Sequence, residues 1–144
     1  MGLSSKTSLR VRYAETDQMG IVYHSNYLIW FEVGRSELLR ELNLPYTLFE
    51  EQGLGLAVVE ANCRYRKPTH YDDELVIVTE MESISRKTVI FLYRVYRQET
   101  LLAEGKTVHV FINKEGHSTD VRKYAIWPRL QFVLENQKLA DNRS

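Results

Sequence analysis

The chain has 144 residues, which fits one domain and allows about two thirds of the unfolded surface to be buried. Its 19 basic and 19 acidic side chains cancel, so composition gives no reason to expect a nucleic-acid partner or an anionic membrane surface. The N-terminus lacks the apolar core of a signal peptide, and no apolar run reaches the roughly 18 residues of a membrane span, so we expect a soluble cytoplasmic protein.

The first third of the chain predicts a strand, a loop and a long helix. Apolar and polar residues alternate over residues 8–13, as in a strand, and residues 14–22 follow as a loop. The apolar spacing becomes helical from about Asn26, and Asn43 and Pro45 end this helix. Its predicted buried stripe consists of Tyr27, Trp30, Phe31, Val33, Gly34, Leu38 and Leu42.

The rest of the chain predicts four strands and two shorter helices. We expect a helical turn at residues 46–52, strands at 57–65, 75–81, 88–97 and 102–112, and a last helix from Pro128 to about residue 138. Gly34 costs a helix about 1 kcal/mol relative to alanine, so we expect it where the helix approaches the sheet closely. Small residues of the last strand fit the same contact: Ala103, Gly105 and Thr107.

This order of elements predicts an α+β fold in which a curved five-stranded antiparallel sheet wraps around the long central helix. We expect a single domain over residues 1–144, with its core at about 8–130. The absence of strand–helix–strand alternation argues against a doubly wound fold. The edge strands of such a sheet would be unpaired, so we expect copies of the chain to associate through an edge or a face.

Residues 13–35 carry the pattern most informative about function. Asp17 lies on a turn closed by Gly20, shortly before the helix opens near His24 to Asn26. A helix N-terminus presents amides without partners and a partial positive charge. A carboxylate beside such donors could attack a carbonyl carbon, or activate water, while the amides hold the oxygen that becomes negative. The alternative is that Asp17 only caps its turn.

A longer motif begins at residue 14, where the sequence reads A-E-T-D-Q-M-G-I-V-Y-H-S-N-Y. It continues with Glu32 and Arg35 in the helix, with Tyr65 and Pro68, and with D-E-L at residues 73–75. In these residues the chain resembles the 4-hydroxybenzoyl-CoA thioesterase-like group of hotdog-fold acyl-CoA thioesterases. It is most similar to their bacterial branch, the Tol–Pal-associated acyl-CoA thioester hydrolases. The resemblance implies a hotdog fold, an acyl-CoA substrate, no cofactor and a homodimer or a dimer of dimers.

The resemblance also assigns roles within the motif. It implies that Asp17 is the catalytic carboxylate, as nucleophile or general base, and that the backbone amide of His24 donates to the oxyanion. The side chain of His24 is expected to position water, to donate to the thiolate leaving group or to brace the loop. The substrate-binding residues expected from the motif, with Tyr23 as a wall of the acyl pocket, are Gly20, Tyr23, Asn26 and Tyr27.

Coenzyme A carries phosphates, which require basic side chains near the site. One basic group is R-Y-R-K at residues 64–67, and a second is Arg86 with Lys87 in a turn between strands. The resemblance implies that the second group meets the nucleotide, with Lys87 and Thr88 aligning best. A solvated hairpin tip is the alternative interpretation of that turn.

Other kinds of site find no support in the sequence. Cys63 is a single cysteine, which excludes an internal disulfide and a cysteine-rich zinc site, and the histidines share no metal-ligand spacing with carboxylates. No G-x-S-x-G motif is present. We expect His109 to be structural, and His70 and His117 to be solvated.

Two rival functions are considered. One is a non-catalytic acyl-CoA-binding module on the same fold. The other is a hotdog dehydratase, which is disfavoured because the proline-rich loop around the dehydratase histidine is missing. The aromatic residues around the motif would suit short, long or aromatic acyl groups, so the sequence leaves the acyl chain open.

Overall fold

A curved antiparallel sheet wraps around one long helix in the computed structural model, which describes residues 3–143, with side chains as far as residue 136. The strands are β1 (Ser4–Arg10), β2 (Gly55–Tyr65), β3 (Glu74–Ile84), β4 (Thr88–Arg97) and β5 (Thr100–Ile112). The helices are α1 (Asn26–Glu41), α2 (Tyr46–Glu51) and α3 (Trp127–Arg143), with 3₁₀ turns at Tyr13–Glu15 and Val121–Lys123. The five strands pair in the order β1-β3-β4-β5-β2, and every pairing is antiparallel.

The predicted α+β architecture is confirmed, and the main differences lie at the ends of elements. β1 covers residues 4–10 rather than 8–13, because the chain turns at Arg12, whose amide donates to the carboxylate of Glu15. Tyr13 therefore lies in the 3₁₀ turn and is 77% exposed, so its predicted place on the inner face of a strand is wrong. α3 begins at Trp127, one residue before the predicted Pro128.

The inner face of the sheet is filled by α1. Trp30, Phe31 and Leu38 are almost completely buried, whereas Val33, predicted to widen the buried stripe, is exposed. The close approach predicted at Gly34 is confirmed, because an added Cβ atom there would overlap the side chain of Thr79 in β3. The small residues of β5 serve the same contact, since a Cβ atom at Gly105 would lie 2.5 Å from the ring of Phe31.

The sheet places β2 at one edge. β2 pairs with β5 along one side, and most of its side chains are exposed. Its register with β5 shifts between Val58 and Glu60, where the apolar side chains of Val58 and Val59 are both exposed. Over the described residues, no helix is long and apolar enough to cross a membrane.

Candidate active site

The loop between β1 and α1 holds Asp17 in a tight turn. The amide of Asp17 donates to the carbonyl of Ile21 at 2.8 Å, and the amide of Gly20 donates to the carbonyl of Asp17 at 3.0 Å. Gly20 has a φ of +81°, a backbone conformation that favours glycine, so this residue type is required for the turn. The turn thus has the position and the glycine that the sequence predicts.

The carboxylate of Asp17 is half-buried and uses one oxygen within its own turn. Oδ1 accepts hydrogen bonds from the amides of Met19 at 2.8 Å and Ile21 at 3.4 Å. In the described part of the chain, no group donates to Oδ2. The capping role considered for Asp17 is therefore present, and it leaves the second oxygen available for a ligand.

Asp17 lies on the wall of an open cleft of about 420 Å³. Four of the predicted site residues share this cleft: Asp17, Tyr23, His24 and Tyr27. The other lining residues are Ile21, Val22, Tyr65 and Pro68, together with Arg66 and Lys67 of the first basic group. The sequence contained a signal for some of them, since Tyr65 and Pro68 belong to the longer motif.

The N-terminus of α1 opens into the same cleft at His24. The amide of Tyr23 donates to the carbonyl of Glu15, and that of Asn26 donates to the carbonyl of Tyr23. The amide of His24 donates no hydrogen bond to any described residue. A free amide at a helix start carries part of the positive end of the helix dipole, so it can accept a developing negative charge.

Aromatic rings form the sides of the cleft. The rings of Tyr23 and His24 are 4.3 Å apart, and those of Tyr27 and Tyr65 are 4.9 Å apart in an edge-to-face arrangement. Burial raises the pKa of the Tyr27 hydroxyl, and burial followed by the neighbouring Cys63 raises the pKa of Tyr65 to about 12. Both hydroxyls stay protonated at neutral pH, so they can act as walls and donors but not as bases.

Tyr65 is connected to the side of the cleft formed by His24. Its hydroxyl donates to the carbonyl of His24 at 3.0 Å, which ties the edge strand β2 to the residues before α1. Deeper in the wall, the hydroxyl of Tyr27 lies 2.8 Å from the hydroxyl of Thr69. These contacts hold the aromatic walls against the helix start.

Basic side chains lie at one end of the cleft. Arg66 forms an ion pair with Glu104 at 3.2 Å, and the amides of Arg66 and Lys67 both donate to the carbonyl of Leu102. Lys67 forms no ion pair with any other described residue. Arg66 and Lys67 therefore place positive charge beside Asp17.

The second predicted basic group is far from this cleft within one chain. Arg86, Lys87 and Thr88 lie in the β3–β4 hairpin, at the end of β3 opposite to Glu74. Arg10, which leads into the Asp17 loop, pairs with Glu74. The ten steps from Glu74 to Ile84, at about 3.3 Å each, give β3 a length of at most about 33 Å between its two ends. A single copy of the chain does not bring Arg86 to Asp17.

Two further predicted substrate-binding residues lie outside the cleft lining. Gly20 belongs to the exposed turn and shapes its backbone. The side chain of Asn26 donates to the carbonyl of Glu15 at 2.9 Å, so its amide group is engaged within the protein. Both residues shape the site, and their contact with substrate stays a prediction.

The remaining histidines lie apart from the cleft lining. His109 is 1% exposed, and its Nε2 atom lies 2.9 Å from the hydroxyl of Thr107. Burial, together with the positive charge of Arg35, lowers the pKa of His109 to about 4, so this side chain is neutral at pH 7. His70 and His117 are exposed. Over the described part of the chain, no three His, Cys, Asp or Glu side chains are grouped as a metal ion would require.

The fold and the site together define a class of protein. A long helix wrapped by a five-stranded antiparallel sheet is the hotdog architecture, here with a carboxylate and a free helix-start amide in one cleft. Residues 11–136 match the Thioesterase-like superfamily, and the chain belongs to this family. This result confirms the family resemblance predicted from the motif.

Individual relatives support the assignment over most of the chain. "Putative acyl-CoA thioesterase YneP" of Bacillus subtilis (strain 168) is 41% identical over 112 residues, which cover 77% of this chain and 81% of that protein. Acyl-CoA thioesterase YbgC of Haemophilus influenzae is 40% identical over 103 residues, covering 71% of this chain and 75% of that protein. The crystal structure of DHNA-CoA thioesterase from Staphylococcus aureus has a TM-score of 0.88 and 29% identity, over 97% of this chain and 94% of that chain.

Proposed function

We propose that this protein is an acyl-CoA thioesterase, which uses water to convert an acyl-CoA into a free acid and coenzyme A. One observation carries the proposal: Asp17 lines the same cleft as His24, whose backbone amide donates no hydrogen bond to a described residue. A thioester carbonyl between them would have a nucleophile or base on one side and an oxyanion donor on the other. The names of the relatives point to the same chemistry.

The catalytic roles follow from this placement. As a nucleophile, Asp17 would attack the thioester carbon through Oδ2 and expel the thiolate of coenzyme A, leaving an anhydride that water then hydrolyses. As a general base, it would take a proton from water as that water attacks the same carbon. In both routes the amide of His24 holds the carbonyl oxygen as it becomes negative. The imidazole of His24 would donate a hydrogen bond to the thiolate that leaves.

The acyl group is expected to meet an aromatic surface. Tyr23, Tyr27 and Tyr65 would contact an aryl ring or an alkyl chain, so aromatic and fatty acyl groups both suit the cleft. Several solved relatives are named for aromatic substrates, among them DHNA-CoA and gentisyl-coenzyme A, whereas other relatives carry only the general name acyl-CoA. A panel of acyl-CoA substrates that includes short, long and hydroxybenzoyl groups measures this preference directly.

We propose that a second copy completes the site. The exposed edge of β2, with Val58 and Val59, offers unpaired backbone groups and apolar area that a second copy would cover. Leu28 and Ile29 of α1 are also exposed. Since Arg86 lies at the end of β3 opposite to Glu74 and outside the lining of the Asp17 cleft, a basic hairpin at the nucleotide would come from that second copy. A homodimer or a dimer of dimers fits this arrangement.

Release of free thiol by the Asp17→Asn variant tests the proposal. Asparagine keeps an oxygen that accepts the amides of Met19 and Ile21, so the turn is preserved while the nucleophilic or basic oxygen is lost. We expect turnover to fall by at least about 10²-fold. Asp120→Asn, at the N-cap of the 3₁₀ turn before α3 and outside the cleft lining, is the control and should retain turnover. Wild-type turnover in Asp17→Asn would remove Asp17 from the chemistry, whereas tight acyl-CoA binding without turnover in the wild type would refute the thioesterase proposal and support a binding module instead.

A further inference from the structure

Glu15 is a buried carboxylate that lies two residues before Asp17. It is 4% exposed and belongs to the 3₁₀ turn that connects β1 to the Asp17 turn. Its Oε1 atom accepts the amide of Arg12 at 2.8 Å, and its Oε2 atom accepts the indole N–H of Trp30 at 2.9 Å. The guanidinium of Arg12 lies 3.5 Å from Oε2 and is largely solvated, so it adds little to the site.

The backbone of Glu15 is connected to the other side of the cleft. Its carbonyl accepts the amide of Tyr23 at 2.8 Å and the side-chain amide of Asn26 at 2.9 Å. One residue is thereby bonded to the residues just before His24, to the first turn of α1 and, through Trp30, to its second turn. The Asp17 turn and the helix start are held together by hydrogen bonds of Glu15.

The location of Glu15 excludes contact with a ligand in the cleft. Its side chain is enclosed by Arg12 and Trp30 and is not part of the cleft wall. A buried carboxylate is costly unless each oxygen is hydrogen-bonded, which is the case here. An apolar residue would fill the space at lower cost, and it would not fix the turn relative to α1. The carboxylate therefore has a geometric role.

The geometry points to Glu15 as a positioning residue that fixes Asp17 relative to the amide of His24, with Trp30 as its anchor in α1. This inference rests on the proposed function, because it concerns the alignment of the two groups assigned there. A displacement of about 1 Å between a nucleophile and its target can cost about 10²-fold in rate. A loosened Asp17 turn should therefore lower kcat and leave substrate affinity nearly unchanged.

Two substitutions separate the hydrogen bonds from the packing. Glu15→Gln keeps the shape but replaces one oxygen by an NH₂ group, which would face the N–H of either Arg12 or Trp30. Trp30→Phe keeps a buried aromatic ring and removes the donor to Oε2, together with some buried volume for which a stability control is needed. For both variants we expect kcat to fall by about tenfold or more, with KM changed by less than about threefold.

A double-mutant cycle distinguishes positioning from general damage. In the Asp17→Asn background, Glu15→Gln should cause no further loss of residual turnover, because the group that it positions is already gone. Ile126→Val, at a buried position next to α3, is the control for lost stability. Its urea midpoint should fall while kcat stays at the wild-type value.

The outcomes are distinct from those that test the proposed function. An inactive Asp17→Asn together with a wild-type kcat in Glu15→Gln and Trp30→Phe would overturn the positioning role and leave the thioesterase proposal intact. Losses that multiply in the Asp17→Asn background would also overturn it. If Glu15→Gln fails to fold, Trp30→Phe and its double-mutant cycle with Asp17→Asn decide whether Glu15 positions Asp17. Wild-type turnover in Asp17→Asn alone would overturn the role assigned to Asp17, and absence of turnover in the wild type would overturn the proposed function itself.

Discussion

Gly34 of α1 lies directly against Thr79 of β3, with no room between them for a Cβ atom. Thr79 is β-branched and fully buried, so its side chain cannot move aside easily. We expect Gly34→Ala to lower the free energy of unfolding by about 1–3 kcal/mol through overpacking, despite the better helix preference of alanine. Urea denaturation measures the change.

A second substitution at the same contact should restore part of the lost stability. Thr79→Ala removes the Oγ1 atom that an alanine at Gly34 would overlap, so the double variant should recover at least half of the loss. Ser36→Ala, on the same helix, is the control for helix preference and should change stability by only a few tenths of a kcal/mol. A Gly34→Ala variant as stable as the wild type would contradict the contact.

Local patterns in the sequence were sufficient to predict most of the fold. The spacing of apolar residues indicates α1 to within one or two residues at each end, and the glycine in its stripe indicates the face that meets the sheet. The 3₁₀ turn at Tyr13 was missed because its cause is not local patterning. It depends on the carboxylate of Glu15, whose partners include Trp30, 15 residues away. The alternation of apolar and polar residues, taken alone, predicts that the strand continues through Tyr13.

The candidate site was predictable only in part, for a similar reason. Asp17, Tyr23 and His24 are close in sequence and also close in space. Tyr65 and Lys67 reach the same cleft through the pairing of β2 with β5, which no spacing in the sequence specifies. Arg86 illustrates the reverse case, since a basic turn predicted to meet the nucleotide lies at the far end of β3 from Asp17 in one chain.

His109 should make stability depend on pH. Its pKa is lowered from 6.5 to about 4 in the folded protein, because burial disfavours the charged form. Between these pH values the unfolded chain binds a proton that the folded protein does not, so stability is complete above about pH 6.5 and is lost as the pH falls toward 4. We expect about 2 kcal/mol to be lost between pH 7 and about pH 5 from this residue.

Urea unfolding at these two pH values tests the His109 prediction. His109→Gln cannot titrate, so the difference in its unfolding free energy between pH 7 and pH 5 should shrink by about that amount. His117→Gln changes an exposed histidine in a turn and should leave the wild-type difference intact. An unchanged pH dependence in His109→Gln would contradict a neutral buried imidazole.

Tyr65 should contribute to the alignment of the helix start. Its hydroxyl donates to the carbonyl of His24, the residue whose amide is proposed to hold the oxyanion. A hydrogen bond of this kind is worth about 1 kcal/mol, so Tyr65→Phe should lower kcat about fivefold and change KM little. Tyr13→Phe removes an exposed hydroxyl outside the cleft and serves as the control. Equal kcat values for both variants would show that the hydroxyl of Tyr65 does not contribute to the alignment of the helix start.

A substrate that lacks the phosphates of coenzyme A shows which basic group binds them, residues 64–67 or Arg86 with Lys87. If Arg86 and Lys87 bind the nucleotide, replacing both by glutamine should raise KM for an acyl-CoA by about tenfold or more, since hydrogen bonds to charged groups are worth about 1.5–3 kcal/mol each. KM for the corresponding acyl-pantetheine should not change. Arg66→Gln with Lys67→Gln applies the same comparison to the basic end of the cleft. A shift in KM with only this second pair would assign the phosphates to Arg66 and Lys67.

Mixed assemblies then show whether the hairpin acts on the Asp17 site of another copy. Neither Asp17→Asn nor the Arg86→Gln, Lys87→Gln chain should turn over acyl-CoA well alone at low substrate concentration. In a heterodimer of the two, one site would combine an intact Asp17 with an intact hairpin, because a two-fold axis exchanges the contributions. Unfolding and refolding an equimolar mixture should therefore restore roughly a quarter of the wild-type sites. Activity no higher than the mean of the separate variants would contradict service of the Asp17 site by the hairpin of a second copy.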